Sequence, residues 1–195
     1  AYNKILKESS NDIVVLCHDD LEFDTNNWGI KLMKLFERNP EQGIIGLAGT
    51  KYFSDNGCWW TVQGSMYGVV NHKHEGKKWT SSYSKDLGNK IEQTIIVDGL
   101  FIAVNKNNIK HAFDETIDGF HFYDLGFCLP NYLEGVPVGV TTQIRVTHLS
   151  IGQTNQQWED NRVKFAEKYK ESLPIDISPK VLSETFIFCH DQDFI

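Results

Sequence analysis

The stretch Asp12-Ile13-Val14-Val15-Leu16-Cys17-His18-Asp19-Asp20-Leu21 decides the fold. Its unbroken apolar run, rich in β-branched side chains, is what a buried parallel strand requires. The run stops abruptly at His18-Asp19-Asp20. Asn26 or Asn27 then caps a helix in which Trp28, Leu32, Leu35 and Phe36 fall at helical spacing, ending near Asn39-Pro40. Gly43-Ile44-Ile45-Gly46-Leu47-Ala48-Gly49 reads as a second buried strand. Strand, helix and strand in this order predict an α/β crossover unit with a parallel sheet.

The whole chain fits an ordinary globular protein. It has 195 residues, 41% of them hydrophobic, with 19 basic against 26 acidic side chains and a formal charge of −7. The length suits one domain with an appendage. No basic stripe is present, which argues against nucleic acid as a partner. Apolar stretches are too short to cross a bilayer as a helix. Ala1-Tyr2-Asn3-Lys4 carries no apolar signal region, so a cytoplasmic location, at most peripheral to a membrane, is expected. Cys17, Cys58, Cys128 and Cys189 form no CxxC pair and read as buried reduced thiols.

From Lys51 to Gln93 periodicity disappears into an irregular segment containing Trp59, Trp60, Tyr67 and Trp79, aromatics that argue against disorder. Thr94 to Val104 reads as a strand interrupted at Asp98-Gly99, where glycine marks a bulge or close approach. Phe122, Leu125, Leu129 and Leu133 define a helix capped by Gly135. Pro130 within that helix costs about 3 kcal/mol outside the first turn, so a later start or a kink is expected, which bears on Asp124. Val136–Val140 and Ile144–His148 read as short strands. Trp158, Phe165, Ala166 and Tyr169 mark a last amphipathic helix, and a tail ends in a strand at Thr185–Cys189.

Three groups of residues carry chemistry. His18-Asp19-Asp20 lies at a carboxyl strand end, where α/β sheets bind ligands, and adjacent carboxylates there suit a cation. As a purely structural element it is a solvated acidic turn. Tyr123-Asp124 opens a helix, where a carboxylate also serves as a cap or dipole partner. His148 closes a strand before the Leu149-Ser150-Ile151-Gly152 turn, a place where a histidine is often structural.

Together these elements, from Tyr2 to about Tyr169, resemble the family-2-like glycosyltransferases of the GT-A fold. Val14-Val15-Leu16-Cys17-His18-Asp19-Asp20-Leu21 is similar to that family's DxD strand, with His18 at the first acidic position and Asp20 at the last. Val97-Asp98-Gly99-Leu100-Phe101-Ile102-Ala103-Val104 resembles the strand beside the acceptor site, and Phe113-Asp114-Glu115 the following turn. Asp124 takes the place of the catalytic carboxylate. Ile144-Arg145-Val146-Thr147-His148 is similar to the strand whose histidine completes the metal shell, followed by a helix matched by Trp158, Asn161, Phe165 and Tyr169.

The resemblance implies a partial GT-A (Rossmann-like) mixed sheet flanked by helices over 1–170, with the aromatic-rich insertion, and a C-terminal tail over 171–195. Only about eleven residues precede Asp12, whereas each βαβ unit of the nucleotide-binding half needs roughly thirty. A fragment of a longer protein, strands supplied by a partner, and lost donor binding are the three alternatives. Gly126 and Pro130 depart from the acidic and basic residues usual in the family.

The activity implied is inverting transfer of a sugar from a UDP- or GDP-sugar to a hydroxyl of a glycan, lipid or protein. Asp20 and His148 are the expected ligands of Mn²⁺ or Mg²⁺, which neutralises a diphosphate leaving group. A histidine in the shell favours Mn²⁺. His18 and Asp19 are expected at the donor, Asp124 as general base, and Asp98, Gly99, Trp59 and Trp60 at the acceptor, whose apolar sugar faces stack on aromatics. Packing of the tryptophans under a long loop is the competing reading. The rival function is a degenerate, non-catalytic module binding a glycan or a partner chain, with an exposed sheet edge favouring a homo-oligomer. A metal-dependent hydrolase built on His18, Asp19, Asp20 and His148 is the third alternative.

Overall fold

A computed structural model describes residues 1–152 and 154–178. The strand expected at Thr185–Cys189 lies outside the described residues. The first half of the chain forms α1 (Tyr2–Glu8), β1 (Ile13–Cys17), β2 (Leu21–Phe23), α2 (Trp28–Arg38), β3 (Ile44–Gly46), β4 (Ala48–Thr50), β5 (Tyr52–Phe53), β6 (Met66–His74) and β7 (Lys77–Ser82). Then come β8 (Glu92–Thr94), β9 (Ile96–Val97), β10 (Phe101–Asn105), α3 (Tyr123–Leu133), β11 (Val138–Val140), β12 (Val146–His148), α4 (Gln156–Tyr169) and β13 (Ile175–Asp176). No helix among the described residues is long and apolar enough to cross a membrane.

The architecture is α/β with mixed sheets, consistent with a partial Rossmann-like GT-A fold. One five-stranded sheet has the order β1-β10-β3-β11-β8. A second runs β2-β12-β6-β4-β9 with β7 paired to β6, and β13 pairs with β5. Two segments serve both sheets. Gly43–Gly49, expected as one strand, breaks at Leu47 into β3 and β4, and Thr94–Val104 splits into the end of β8, then β9 and β10. Leu47 and Ile95, at two of these breaks, are wholly buried.

The expectation for β1 is corrected in one respect. It is not flanked by parallel neighbours: it pairs antiparallel with β10, from Ile13↔Asn105 to Cys17↔Phe101, and ends the order of its sheet. β1 and β3 do run parallel around α2, but β10 lies between them. An apolar run also suits a strand covered by helices, so periodicity alone did not settle its neighbours. Among the described pairings, β3–β11 and β12–β6 are the parallel contacts.

The segment expected to be irregular holds a β-hairpin, β6–β7, paired from Val69↔Ser82 to His74↔Lys77. Glu75 and Gly76, with φ of 48° and 78°, make the left-handed two-residue turn that suits the twist of paired strands.

Helix α3 begins at Tyr123, not later, and carries Pro130 in its interior. The missing Pro130 N–H leaves the Gly126 carbonyl without its helical donor. Gly126 also lets the helix approach Ile117, whose side chain occupies the space a Cβ would need. Buried Asn131 ties α3 to the preceding loop: its Oδ1 accepts from the N–H groups of Lys110 and His111 at 2.8 and 3.0 Å, and its Nδ2 donates to His111 O and Phe127 O. Gly135 follows the helix with φ 81°, as expected of a terminating glycine.

Candidate functional site

Both chemistry-bearing loops are links between the two sheets. His18-Asp19-Asp20 carries the chain from β1 into β2, and Asp98-Gly99-Leu100 carries it from β9 into β10. The links lie side by side, because the His18 N–H donates to Leu100 O at 3.0 Å. β12 then delivers His148 beside β2 through the pairing His148↔Leu21, and Leu149 N–H donates to Asp20 O at 3.1 Å. Residues more than a hundred positions apart converge because strand pairing puts them there.

His18, Asp20 and His148 form one cluster whose ligand atoms all lie within 4.8 Å of one another. His18 Nδ1 is 3.4 Å from His148 Nε2, which is 3.4 Å from Asp20 Oδ1, and the third separation is 4.0 Å. Ligands about 2.1 Å from a shared cation at right angles sit roughly 3 Å apart. Two imidazoles and a carboxylate at these distances fit a divalent metal with little adjustment. Burial holds the His148 imidazole below its ordinary value, so it is neutral as a ligand must be. Burial acts to raise Asp20, but the Ser150 hydroxyl and the two imidazoles outweigh it and keep the carboxyl below the usual range. Asp19 is exposed and lies outside the cluster.

Asp124 stands in the first turn of α3 and accepts the Gly99 N–H at 2.8 Å. Asp98 accepts the Leu100 N–H at 2.9 Å. Burial, and then the charge of Asp98, push Asp124 up to about 7 against the N–H groups of Leu125 and Gly99 that favour its ionised form. Asp98 is raised as well, chiefly by burial. Two carboxylates that resist joint ionisation at one place are a recurrent mark of acid–base sites.

Tyr123 joins the two centres. Its hydroxyl donates to Gly99 O at 2.9 Å and lies 3.0 Å from His18 Nε2. Burial, then the neighbouring Asp124, keep the phenol protonated well above its ordinary range. Gly99 is glycine for a steric reason: a Cβ would meet the Tyr123 hydroxyl and ring. Phe122, which precedes the helix at φ 69°, is held in that left-handed conformation by packing against Trp158 and Phe165.

The two tryptophans separate. Trp59 is 5% exposed, so its faces are used in packing, while Trp60 is partly exposed and contacts both Trp59 and Trp158. Tyr83 links this group to the carboxylates: it packs edge-on to Trp59 and is raised by burial and by the charge of Asp98.

Reasoning from sequence gave no role to Tyr123, Ser150 or His72. Tyr123 and Ser150 adjoin residues that were singled out, so their neighbours were the available signal. His72 had none: its place beside His148, with ring centroids 5.9 Å apart, depends on the pairing of β6 with β12.

No curated protein matches the chain significantly. A family model described as a glycosyltransferase-like family matches residues 1–169. With the match covering most of the chain, this protein belongs to that glycosyltransferase-like family.

Proposed function

We propose that this protein performs metal-dependent, inverting transfer of a sugar from a nucleotide-diphosphate sugar to a hydroxyl acceptor. The observation that carries the proposal is the disposition of two unlike centres: the His18, Asp20 and His148 cluster, and the Asp124 carboxylate beyond the Tyr123 bridge. Glycosyl transfer needs both. A carboxylate takes a proton from the attacking hydroxyl, and the leaving diphosphate must be stabilised.

In the proposed reaction the acceptor oxygen bonds to the anomeric carbon on the face opposite the leaving group. The bond to the diphosphate oxygen breaks with its electron pair, and the acceptor proton passes to Asp124. One displacement of this kind inverts the anomeric centre. A divalent cation on His18, Asp20 and His148 supplies charge neutralisation for the diphosphate when bound. The Gly99 N–H orients Asp124, and burial, then the charge of Asp98, keep its proton affinity near neutrality, where a general base is effective. Asp19, exposed next to the cluster, is suited to polar contacts with the donor, and the partly exposed Trp60 to stacking on an acceptor sugar. The donor class is a UDP- or GDP-sugar, and the acceptor a glycan, lipid or protein hydroxyl.

Calorimetric titration of the folded chain with UDP and GDP, with and without Mn²⁺, tests the donor half. Metal-dependent binding is expected, and its absence in a folded sample would remove this reading. Incubation with UDP- and GDP-hexoses, followed by NMR assignment of the product's anomeric configuration, tests the transfer, and retention of configuration would exclude the single displacement.

A further inference from the structure

Trp79 is the most exposed of the five tryptophans, at 39%, and no step of the proposed transfer uses it. A single apolar side chain at the surface is ordinary, but this one is held in a fixed pose. Its indole lies flat on the His72 imidazole, with ring centroids 5.0 Å apart and planes 9° from parallel. His72 is itself fixed, because its Nε2 lies 3.0 Å from the Ser81 hydroxyl and its ring packs 5.9 Å from that of His148. With one face of the indole against His72, the exposure that remains belongs to the opposite face and the rim.

Strand register sets where this surface lies. His148 pairs with His72 across β12 and β6, and His72 with Trp79 across β6 and β7, so the three rings form a row on one face of the sheet. Alternation sends Asn71, Thr80 and Thr147 to the other face, where they bond to one another or to Asp24. The row starts at the His18, Asp20 and His148 cluster and ends two strand spacings away, about 10 Å. It ends at an edge, since among the described pairings β7 joins β6 alone.

From this row we infer that Trp79 is a stacking subsite for the acceptor, and that the acceptor is a glycan of at least two sugar residues, not a lipid or protein hydroxyl. The inference rests on the transferase reading for the role of the cluster at the other end of the row. A pyranose presents a patch of C–H groups that lies flat on an aromatic face while its hydroxyls stay in water. A half-exposed indole at an open edge suits such a ligand. A nucleobase, in contrast, is chosen by hydrogen bonds at its rim and is enclosed when bound. The neighbours of Trp79 on this face of β7 are Lys77 and Ser81, and the Ser81 hydroxyl is already engaged by His72. A sugar stacked on Trp79 is also too far from the cluster to carry the reacting hydroxyl, so the acceptor must hold a second ring.

The experiment uses the whole chain with neutral sugars alone: cellotriose, chitotriose, mannotriose and galactotriose, each against its methyl monosaccharide. Binding is read from ¹H–¹⁵N spectra, in which the Trp79 indole N–H is assigned by its loss in Trp79→Phe. A trisaccharide of this set should shift the Trp79 indole signal and bind about three- to tenfold more tightly than its monosaccharide. Trp79→Ala should abolish that difference and Trp79→Phe should keep most of it, while affinity for UDP or GDP with Mn²⁺ is unchanged in both. A Trp79 signal indifferent to every trisaccharide, or trisaccharides no tighter than monosaccharides, would overturn the inference. Loss of nucleotide affinity in Trp79→Ala would overturn it too, by giving the indole to the nucleobase. Trisaccharide binding at Trp79 in a folded chain that binds neither nucleotide would uphold the glycan subsite and remove the transferase reading, so the two failures are told apart.

Discussion

The backbone N–H of Gly99 donates to the side chain of Asp124 at 2.8 Å, joining the strand link at one end of β10 to the first turn of α3. The bond holds the carboxylate beside Asp98 without neutralising it, and the proposed chemistry depends on that combination.

Asp124→Asn preserves size and keeps an oxygen for the Gly99 N–H but cannot accept the acceptor's proton. Transfer should fall by about 10²- to 10⁴-fold with the circular dichroism spectrum unchanged. A variant retaining more than a tenth of the parent's rate would take the base role away from Asp124.

Transfer should rise as pH increases through about 7, where Asp124 loses its proton. Stability should run the other way. The folded pKa lies above the unfolded value near 4, so the contribution of Asp124 is fully present below pH 4 and is lost as pH rises through about 7. Relative to the parent, Asp124→Asn should therefore gain on the order of 4 kcal/mol between pH 4 and pH 8. Urea unfolding of both chains in chelator at the two pH values measures this, and equal differences would mean that burial does not hold the proton.

Gly99→Ala places a methyl group where the Tyr123 hydroxyl sits. Unfolding free energy should drop by about 1–3 kcal/mol, as overpacking does elsewhere. Mn²⁺ affinity should drop with it because the ring must move away from His18. Calorimetry on the folded fraction separates the two effects.

Asn131→Ala removes the acceptor shared by the N–H groups of Lys110 and His111 in a fully buried position. A loss of roughly 2–4 kcal/mol is expected from unpaired backbone groups and the small cavity. A shift of the urea midpoint corresponding to less than 1 kcal/mol would mean that water or a rearranged loop replaces the side chain.

Glu75 occupies a left-handed position, φ 48°, that asparagine tolerates better. Glu75→Asn should raise stability by about 0.5 kcal/mol, read as a higher thermal midpoint.

The helices were legible because their apolar faces repeat at helical spacing, as with Leu32, Leu35 and Phe36, all buried in α2. Hairpin β6–β7 was not, because β7 is exposed on both faces and carries no alternation to read. The convergence of Asp20 with His148, and of Asp98-Gly99 with Asp124, followed from the family resemblance and not from local pattern. Distances among them depend on which strands pair, information that a single sequence holds only diffusely. Trp59 illustrates the limit for aromatics: the sequence leaves stacking on a sugar and packing under a long loop as alternatives, and packing against Tyr83 and Trp60 buries it.

The pairing of Leu21 with His148 has a consequence for biosynthesis. Chains emerge from the ribosome from the amino terminus, and β2 is made long before the strand it pairs with. Until β12 is released, His18 and Asp20 lack the third member of their cluster, and the edge of β2 lacks the partner assigned to it here. Nascent chains stalled before His148 should therefore fail to retain Mn²⁺ at the proposed site, so that capture of the ion would mark the release of β12 during synthesis.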